Sequence, residues 1–362
     1  MDAIHLLTEI QRQTKTSALP WNDEYRAWLL NDLKKNIGTS DEKGLNNSID
    51  ATVKELYSYQ LPTPYESSLH YPILLELLKE LYAVKDIVLG NIESVNTDIR
   101  LPVIGTANFN NINAYANPQY NLIVIDRDLY FFLSHITTLI IELVTTKQDD
   151  RFVIRPSKLD VQSIIQKIQA NNKLCQRFTE VMCSYVLSRG AWPYEQYHYG
   201  NEDQHDWHEV ITREVLRFVV SHEFAHILLN DTESTPSIEL NADLVGAYLC
   251  TAAINKNKSL HEMRAYWAMA VAAKTLDILL KCSRSFHAIP HTHPINRIAT
   301  IYDVLAKAKA DSYTMGMVSI IHSIFEILWR TVEPLVKGLA AAWNDGKIKT
   351  VDEIRYIISH MP

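Results

Sequence analysis

His222 and His226 stand four residues apart, with Glu223 directly after the first, in the run Val219-Val220-Ser221-His222-Glu223-Phe224-Ala225-His226-Ile227-Leu228-Leu229. In a helix, positions i and i+4 share a face, so both imidazoles can address a single point and the carboxylate lies beside them. This H-E-x-x-H spacing suits a divalent metal: two imidazoles hold the ion and the carboxylate handles a proton of the attacking water. Leu216, Val219, Val220, Phe224, Ile227 and Leu228 surround the trio on every side, the pattern of a buried helix. Three ionisable groups in such a helix are costly unless they are paired or bind metal. The plain alternative is a pair of hydrogen-bonded core histidines.

Two histidines leave a catalytic zinc site one protein ligand short, with the fourth position kept for water. A third histidine six residues after His226 is excluded, because position 232 is Thr and Leu229 stands where that longer motif has Gly. Glu239 is the leading third ligand. It lies 13 residues past His226 (239 − 226), on the next helix, reached through a short loop that folds it back antiparallel on the first. Asp243 shares its face at i+4, where a carboxylate can accept a hydrogen bond from the far nitrogen of a ligating histidine and fix its tautomer. Ile238, Leu240, Leu244, Val245, Tyr248 and Leu249 make this helix apolar nearly all round, which argues against a merely solvated acidic face. Asp243, His291 and His293 are the fallback ligands. On this assignment the cofactor is Zn2+, and Glu223 takes the proton from water and passes it to the leaving amine.

The elements that must position these groups are mainly helical, with one small β-sheet: an α+β chain. Residues 1–95 read as a helical N-terminal region, 96–310 as the core, and 311–362 as a C-terminal helical extension. In the N-terminal region, Ile4 to Arg12 and Trp21 to Ile37 are amphipathic, Lys43 to Asn47 is polar and reads as a surface loop, and a leucine stripe runs from Tyr71 to Leu89. Arg100 to Gly105, Asn111 to Ala116 and Tyr120 to Ile125 read as strands, with a turn at Asn117-Pro118-Gln119 between the last two. Helices are expected from Leu129 to about Thr145, Val161 to Gln169 and Cys175 to Ser188. The Tyr-, His- and acid-rich stretch Trp192 to Trp207 reads as an exposed loop, its histidines solvated rather than a second metal site. The motif helix should run from about His208 to Asn230. Thr235 is a good N-cap and Pro236 suits the first turn of the helix that carries Glu239. Further helices are expected over Met263 to Cys282, Asn296 to Lys307, Met315 to Trp343 and Val351 to His360, with a loop from Ser283 to Pro290.

With 362 residues, 47% hydrophobic and 21% charged, the composition is that of an ordinary soluble protein. A formal net charge of −7 and no long basic run argue against a nucleic-acid surface, which needs clustered Lys and Arg. Cys175, Cys183, Cys250 and Cys282 are scattered, with no C-x-x-C pair, and read as reduced core residues. The N-terminus has no secretory signal pattern. Leu129 to Val144 and Met315 to Val336 are interrupted by His135, Glu142, His322, Glu326, Arg330 and Glu333, too polar for membrane spans. A cytoplasmic protein with no membrane and no nucleic-acid partner is expected.

Taken together, His222-Glu223-Phe224-Ala225-His226, Glu239-Leu240-Asn241-Ala242-Asp243 and Thr292-His293-Pro294-Ile295-Asn296-Arg297 resemble the gluzincin metallopeptidases, whose third ligand is a glutamate in an E-x-x-x-D motif. Within them the chain is most similar to the Lit-type phage-exclusion peptidases of bacteria, which share an acidic segment here at Glu202-Asp203, the E-x-x-A-D form, and a Thr-His-Pro followed by Arg. The likeness covers roughly residues 100 to 310. It implies a zincin-like core wrapped by helical extensions. It also gives weight to His293 and Arg297 as catalytic donors to the oxyanion, and to Asn113 and Ala114 as a sheet-edge element that grips substrate backbone. The activity implied is zinc-dependent endoproteolysis of an intracellular protein in antiphage defence, with translation elongation factor Tu as the substrate class. His-Pro and Arg297 lie closer together here than in the related integral-membrane peptidases. Two other functions are compatible with the residues: a binding or regulatory module with a closed structural zinc, and a zinc hydrolase of small amides.

Overall fold

The computed structural model describes residues 2–16, 24–37, 42–68, 70–90, 99–109, 112–148, 151–154, 160–188, 202–257, 262–287, 297–307 and 312–360. In chain order these form α1 (Ala3–Gln13), α2 (Glu24–Ile37), α3 (Glu42–Tyr59), α4 (His70–Tyr82), α5 (Lys85–Leu89), β1 (Val103–Ala107), β2 (Ala114–Asn117), β3 (Leu122–Asp126), α6 (Arg127–Val144), β4 (Thr145–Gln148) and β5 (Arg151–Ile154). There follow α7 (Val161–Ala170), α8 (Asn172–Ser188), α9 (Glu202–Leu229), α10 (Pro236–Asn257), α11 (Glu262–Phe286), α12 (Arg297–Lys307), α13 (Ser312–Asn344) and α14 (Val351–Ser359). The protein is mainly helical with a small sheet, as the sequence implies.

The sheet has the order β1-β3-β2, with β1 parallel and β2 antiparallel to β3, so β2 is an edge. Alternation along β3 supplies its two faces. Ile123 and Ile125 join the large core, while Leu122 and Val124 pack with Leu7 of α1 on the other side. Asn117 caps a short 3-10 turn at Pro118–Tyr120 with its side chain on the Tyr120 N–H, and Asn121, at φ 52°, turns the chain into β3. Asp126 then caps α6 by accepting from the Asp128 N–H.

One apolar core joins side chains from all three expected regions, from Tyr25 to Ile358. The motif helix α9 lies inside it: Phe218, Val220, Phe224, Ala225 and Leu228 are 1% exposed or less. Helix α10 returns along α9 in the opposite direction, because contacts pair 226 with 239, 222 with 243 and 221 with 250. Gly246 permits the closeness. A Cβ there would lie 3.1 Å from the His222 N and from the Ser221 Oγ. Gly246→Val should therefore push the two helices apart, at a cost of about 1–3 kcal/mol, read as a lowered urea midpoint with an unchanged slope.

Several sequence expectations need correction. Lys43 to Asn47 is the first part of α3 and no loop: Leu45, Ile49 and Leu56 are buried on one face, and a single Gly44 is tolerated in a helix at modest cost. Tyr71 to Leu89 is two helices, interrupted at Ala83 and Val84. Helix α6 gives way at Thr145 to a β4–β5 hairpin, a second, two-stranded sheet. Residues 202–207 are the start of α9 rather than loop; Trp207 stacks on Trp267 at 6.1 Å between ring centres and ties that turn down. Helix α11 runs on to Phe286, past the expected loop start at Ser283. By length and composition Thr314–Asn344 of α13 could cross a membrane, with a mean hydropathy of 1.2 and 44% of its most apolar stretch buried. The buried part, including Ile321, Phe325, Leu328 and Val332, belongs to the core.

Candidate metal centre

His222, His226 and Glu239 bring one donor atom each to a common point. The two Nε2 atoms are 3.1 Å apart, and Oε2 of Glu239 lies 3.3 Å from His222 Nε2 and 3.8 Å from His226 Nε2. Tetrahedral donors about 2.0–2.1 Å from zinc sit roughly 3.3–3.4 Å from one another, so the trio has the spacing of one face of such a site. The rings are nearly perpendicular, at 88°.

Both far nitrogens face carboxylates. His226 Nδ1 is 2.9 Å from Asp231 Oδ2, and His222 Nδ1 is 2.8 Å from Asp243 Oδ1, in ion-pair reach though bent from the ideal N–H direction. Carboxylates favour a proton on each Nδ1, which leaves both Nε2 lone pairs pointing at each other and at the Glu239 oxygen. Three converging lone pairs repel unless a cation sits among them. Without metal, that cation is a proton. Burial opposes the charge on His222, but the hydrogen bonds that its ring donates to the carboxylates of Asp243 and Glu239 outweigh it and hold the imidazole up at about 9. The same hydrogen bond from His222 draws Glu239 down to about 2.

A raised histidine contributes stability to the metal-free fold that is complete below its unfolded value of 6.5 and is lost as pH rises through about 9. A metal must displace this proton between those limits. Zinc uptake at pH 7.5 should release about one proton, measured as the dependence of calorimetric heat on buffer ionisation enthalpy.

Local sequence explains how the donors are held. Helix α9 ends at Leu229, and the next residue, Asn230, has a φ of 54°, the left-handed conformation that Asn tolerates. Its N–H bonds to Ile227 O, and the next N–H, of Asp231, bonds to His226 O, which turns the Asp231 side chain back onto His226. Thr235 caps α10 through its hydroxyl on the Ile238 N–H, and Pro236 opens the first turn, as expected. Ser234 donates to Glu239 Oε1 at 2.9 Å, leaving Oε2 for the centre. Glu223 is 7% exposed, and burial raises its carboxyl above the usual range, against the pull of His222 and His226.

Arg297, expected as an oxyanion donor, heads α12 and is engaged elsewhere. It donates to Asp243 Oδ1 at 2.9 Å and to Glu239 Oε2 at 3.4 Å, bridging the candidate third ligand and the carboxylate behind His222. His291 and His293 lie outside the described residues. Asn113 is exposed and its carbonyl accepts from Asp126 N–H; Ala114 pairs with Ile125. Both line a cleft of about 1400 Å³ that also reaches His222, Glu223, His226 and Glu239. The sequence reading missed Asp231 and Ser234. Asp231 follows His226 by five residues, a signal visible only once the helix is known to stop at Leu229. Asp231→Ala should weaken zinc binding roughly 10–100-fold, checked by chelator competition.

A second group, His205, Asp206 and Glu209, has donor atoms close enough to share an ion, but all three are exposed on the first turns of α9. No known family pattern, no characterised protein and no solved structure matches this chain.

Proposed function

We propose that the chain is a zinc-dependent endopeptidase of the gluzincin type, with a zincin-like core built from the small sheet, α9 and α10. The observation that carries this reading is the convergence of His222, His226 and Glu239 with both far nitrogens backed by Asp231 and Asp243, and with Glu223 buried in the same cleft. Zinc, when bound, acidifies water and polarises a carbonyl. Glu223 takes the proton from the attacking water at its carboxylate and hands it to the departing amine nitrogen. Its burial raises its affinity for that proton, which favours the first transfer. Asp231 and Asp243 hold the rings in register, and Arg297 offsets the charge of Glu239 and Asp243.

The size of the cleft favours a polypeptide over a small amide. Small-molecule sites fill roughly 300–1,000 Å³, and this one is about 1400 Å³, with the edge of β2, unpaired among the described residues, along one side. An extended segment adding to that edge would run past Asn113 and Ala114 toward the metal. The resemblance to Lit-type peptidases makes an intracellular protein the substrate and phage exclusion the setting, with elongation factor Tu the first substrate to test. Labelling of new protein N-termini in a lysate treated with zinc-loaded protein should reveal discrete cuts that Glu223→Gln does not make. A lysate without new termini, alongside turnover of small amides, would reverse the choice.

A further inference from the structure

Between helices α11 and α13 lies a second cavity, a surface groove of about 630 Å³. Trp329, Glu333, Lys337, Ala341 and Asn344 line it from α13 at i, i+4, i+8, i+12 and i+15, one side of the helix over roughly 22 Å at 1.5 Å per residue. Lys281, Arg284 and Ser285 line it from the last turns of α11. The groove is distinct from the metal cleft, which meets α11 at Leu276, Leu279 and Ser283 instead. Among the described residues lining it are three cations and one carboxylate, in a chain whose formal net charge is −7. Asp277 and Glu326 hold Lys281 from behind, at 3.2 and 3.5 Å. Lys337 pairs with Glu333 at 3.0 Å, but these side chains are 65% and 36% exposed, and so open a pair is of small worth and yields to a better anion. Cations in the last turns of a helix offset its dipole, which accounts for Lys281 and Arg284 singly. It does not account for Lys337, two turns before the end of α13 on the same groove.

The neutral groups narrow what fits. Trp329, 6% exposed, stands at one end of the stripe with its ring edge on the groove; Ala341 is small, and Ser285 and Asn344 supply hydrogen-bonding groups. Trp329 and Lys337 are eight residues apart, roughly 12 Å along the helix, which leaves room for a sugar between a base at the ring and phosphates at the cations. Arg284 offers a planar fork suited to phosphate oxygens and Lys337 a point charge. The volume falls within the roughly 300–1,000 Å³ of small-molecule sites. A nucleic-acid backbone would need a longer run of cations than these three, and an amphipathic helix would find only Trp329 and Ala341 to cover. We propose that the groove between α11 and α13 binds a small ligand of the nucleoside-phosphate class, with Arg284 and Lys337 on the phosphates and Trp329 against the base. The proposal is independent of the peptidase reading.

Calorimetric titration of the full, zinc-loaded chain at low ionic strength compares ADP, adenosine, pyrophosphate and a short oligoglutamate peptide. ADP should bind at least roughly tenfold more tightly than adenosine or pyrophosphate, because it alone engages both ends of the groove. Arg284→Gln and Lys337→Gln should each weaken ADP roughly tenfold or more, the loss of one charge-assisted hydrogen bond. Trp329→Leu should bring ADP down toward pyrophosphate. Should that largely buried position fail to fold when changed, the two Gln variants still decide, since Lys337 is 65% exposed. A repeat after zinc is stripped with a chelator and dialysed away should give the same ADP affinity, which separates the groove from a metal that itself attracts phosphate. Absence of ADP binding, ADP binding unmoved by both Gln substitutions, or ADP binding lost with the zinc would overturn the site. Tighter binding of oligoglutamate than of ADP would overturn the ligand class and mark the groove as a dock for an acidic polypeptide.

Discussion

Glu223→Gln is expected to leave zinc bound and to lower the rate of peptide cleavage by roughly 10²–10⁴-fold, the span that a positioned general base contributes. The substitution keeps size and hydrogen-bonding reach while removing the proton acceptor. Glu223 is buried on α9 beside both histidines but is not among the three converging donors, so its loss should alter chemistry more than affinity. Metal content and turnover measured on one preparation separate these effects. Retained zinc with full activity would remove Glu223 from the mechanism; lost zinc would show that it is a ligand.

Glu239→Ala should produce the largest loss of metal. An outer carboxylate costs roughly 10–100-fold in affinity when removed, and a direct ligand should exceed that. Three contacts disappear together: Oε2 facing the histidines, Oε1 accepting from Ser234, and the Arg297 bridge. The two Nε2 atoms would remain 3.1 Å apart with no anion to balance a cation between them. Competition against a chromophoric chelator gives the affinity directly. Unchanged affinity would move the third ligand to Asp243 or to a histidine of the Thr292-His293-Pro294 segment.

The site was more legible in the sequence than the elements around it, for physical reasons. The i, i+4 spacing of His222 with His226, and of Glu239 with Asp243, fixes which side chains share a face whatever the exact helix ends. Asp231 was not legible in the same way. Its contact with His226 depends on the left-handed turn at Asn230, a conformation that sequence period does not report. Arg297 was visible by type, but whether it meets substrate or carboxylates depends on where α12 begins relative to α10. Among the elements, the β4–β5 hairpin has strands of four residues, too short for an alternating pattern to stand out. Composition misled at Lys43 to Asn47, where polar residues hide the Leu45–Ile49 stripe.

X-ray absorption of the zinc-loaded chain reads the metal's donors directly. One equivalent of zinc is expected in a shell of nitrogen and oxygen donors at about 2.0–2.1 Å, with scattering from two imidazoles in the wild-type chain and in Glu223→Gln alike. A sulfur shell at about 2.3 Å, or scattering from three or more imidazoles, would contradict a centre made of His222, His226 and Glu239 with a position left for water.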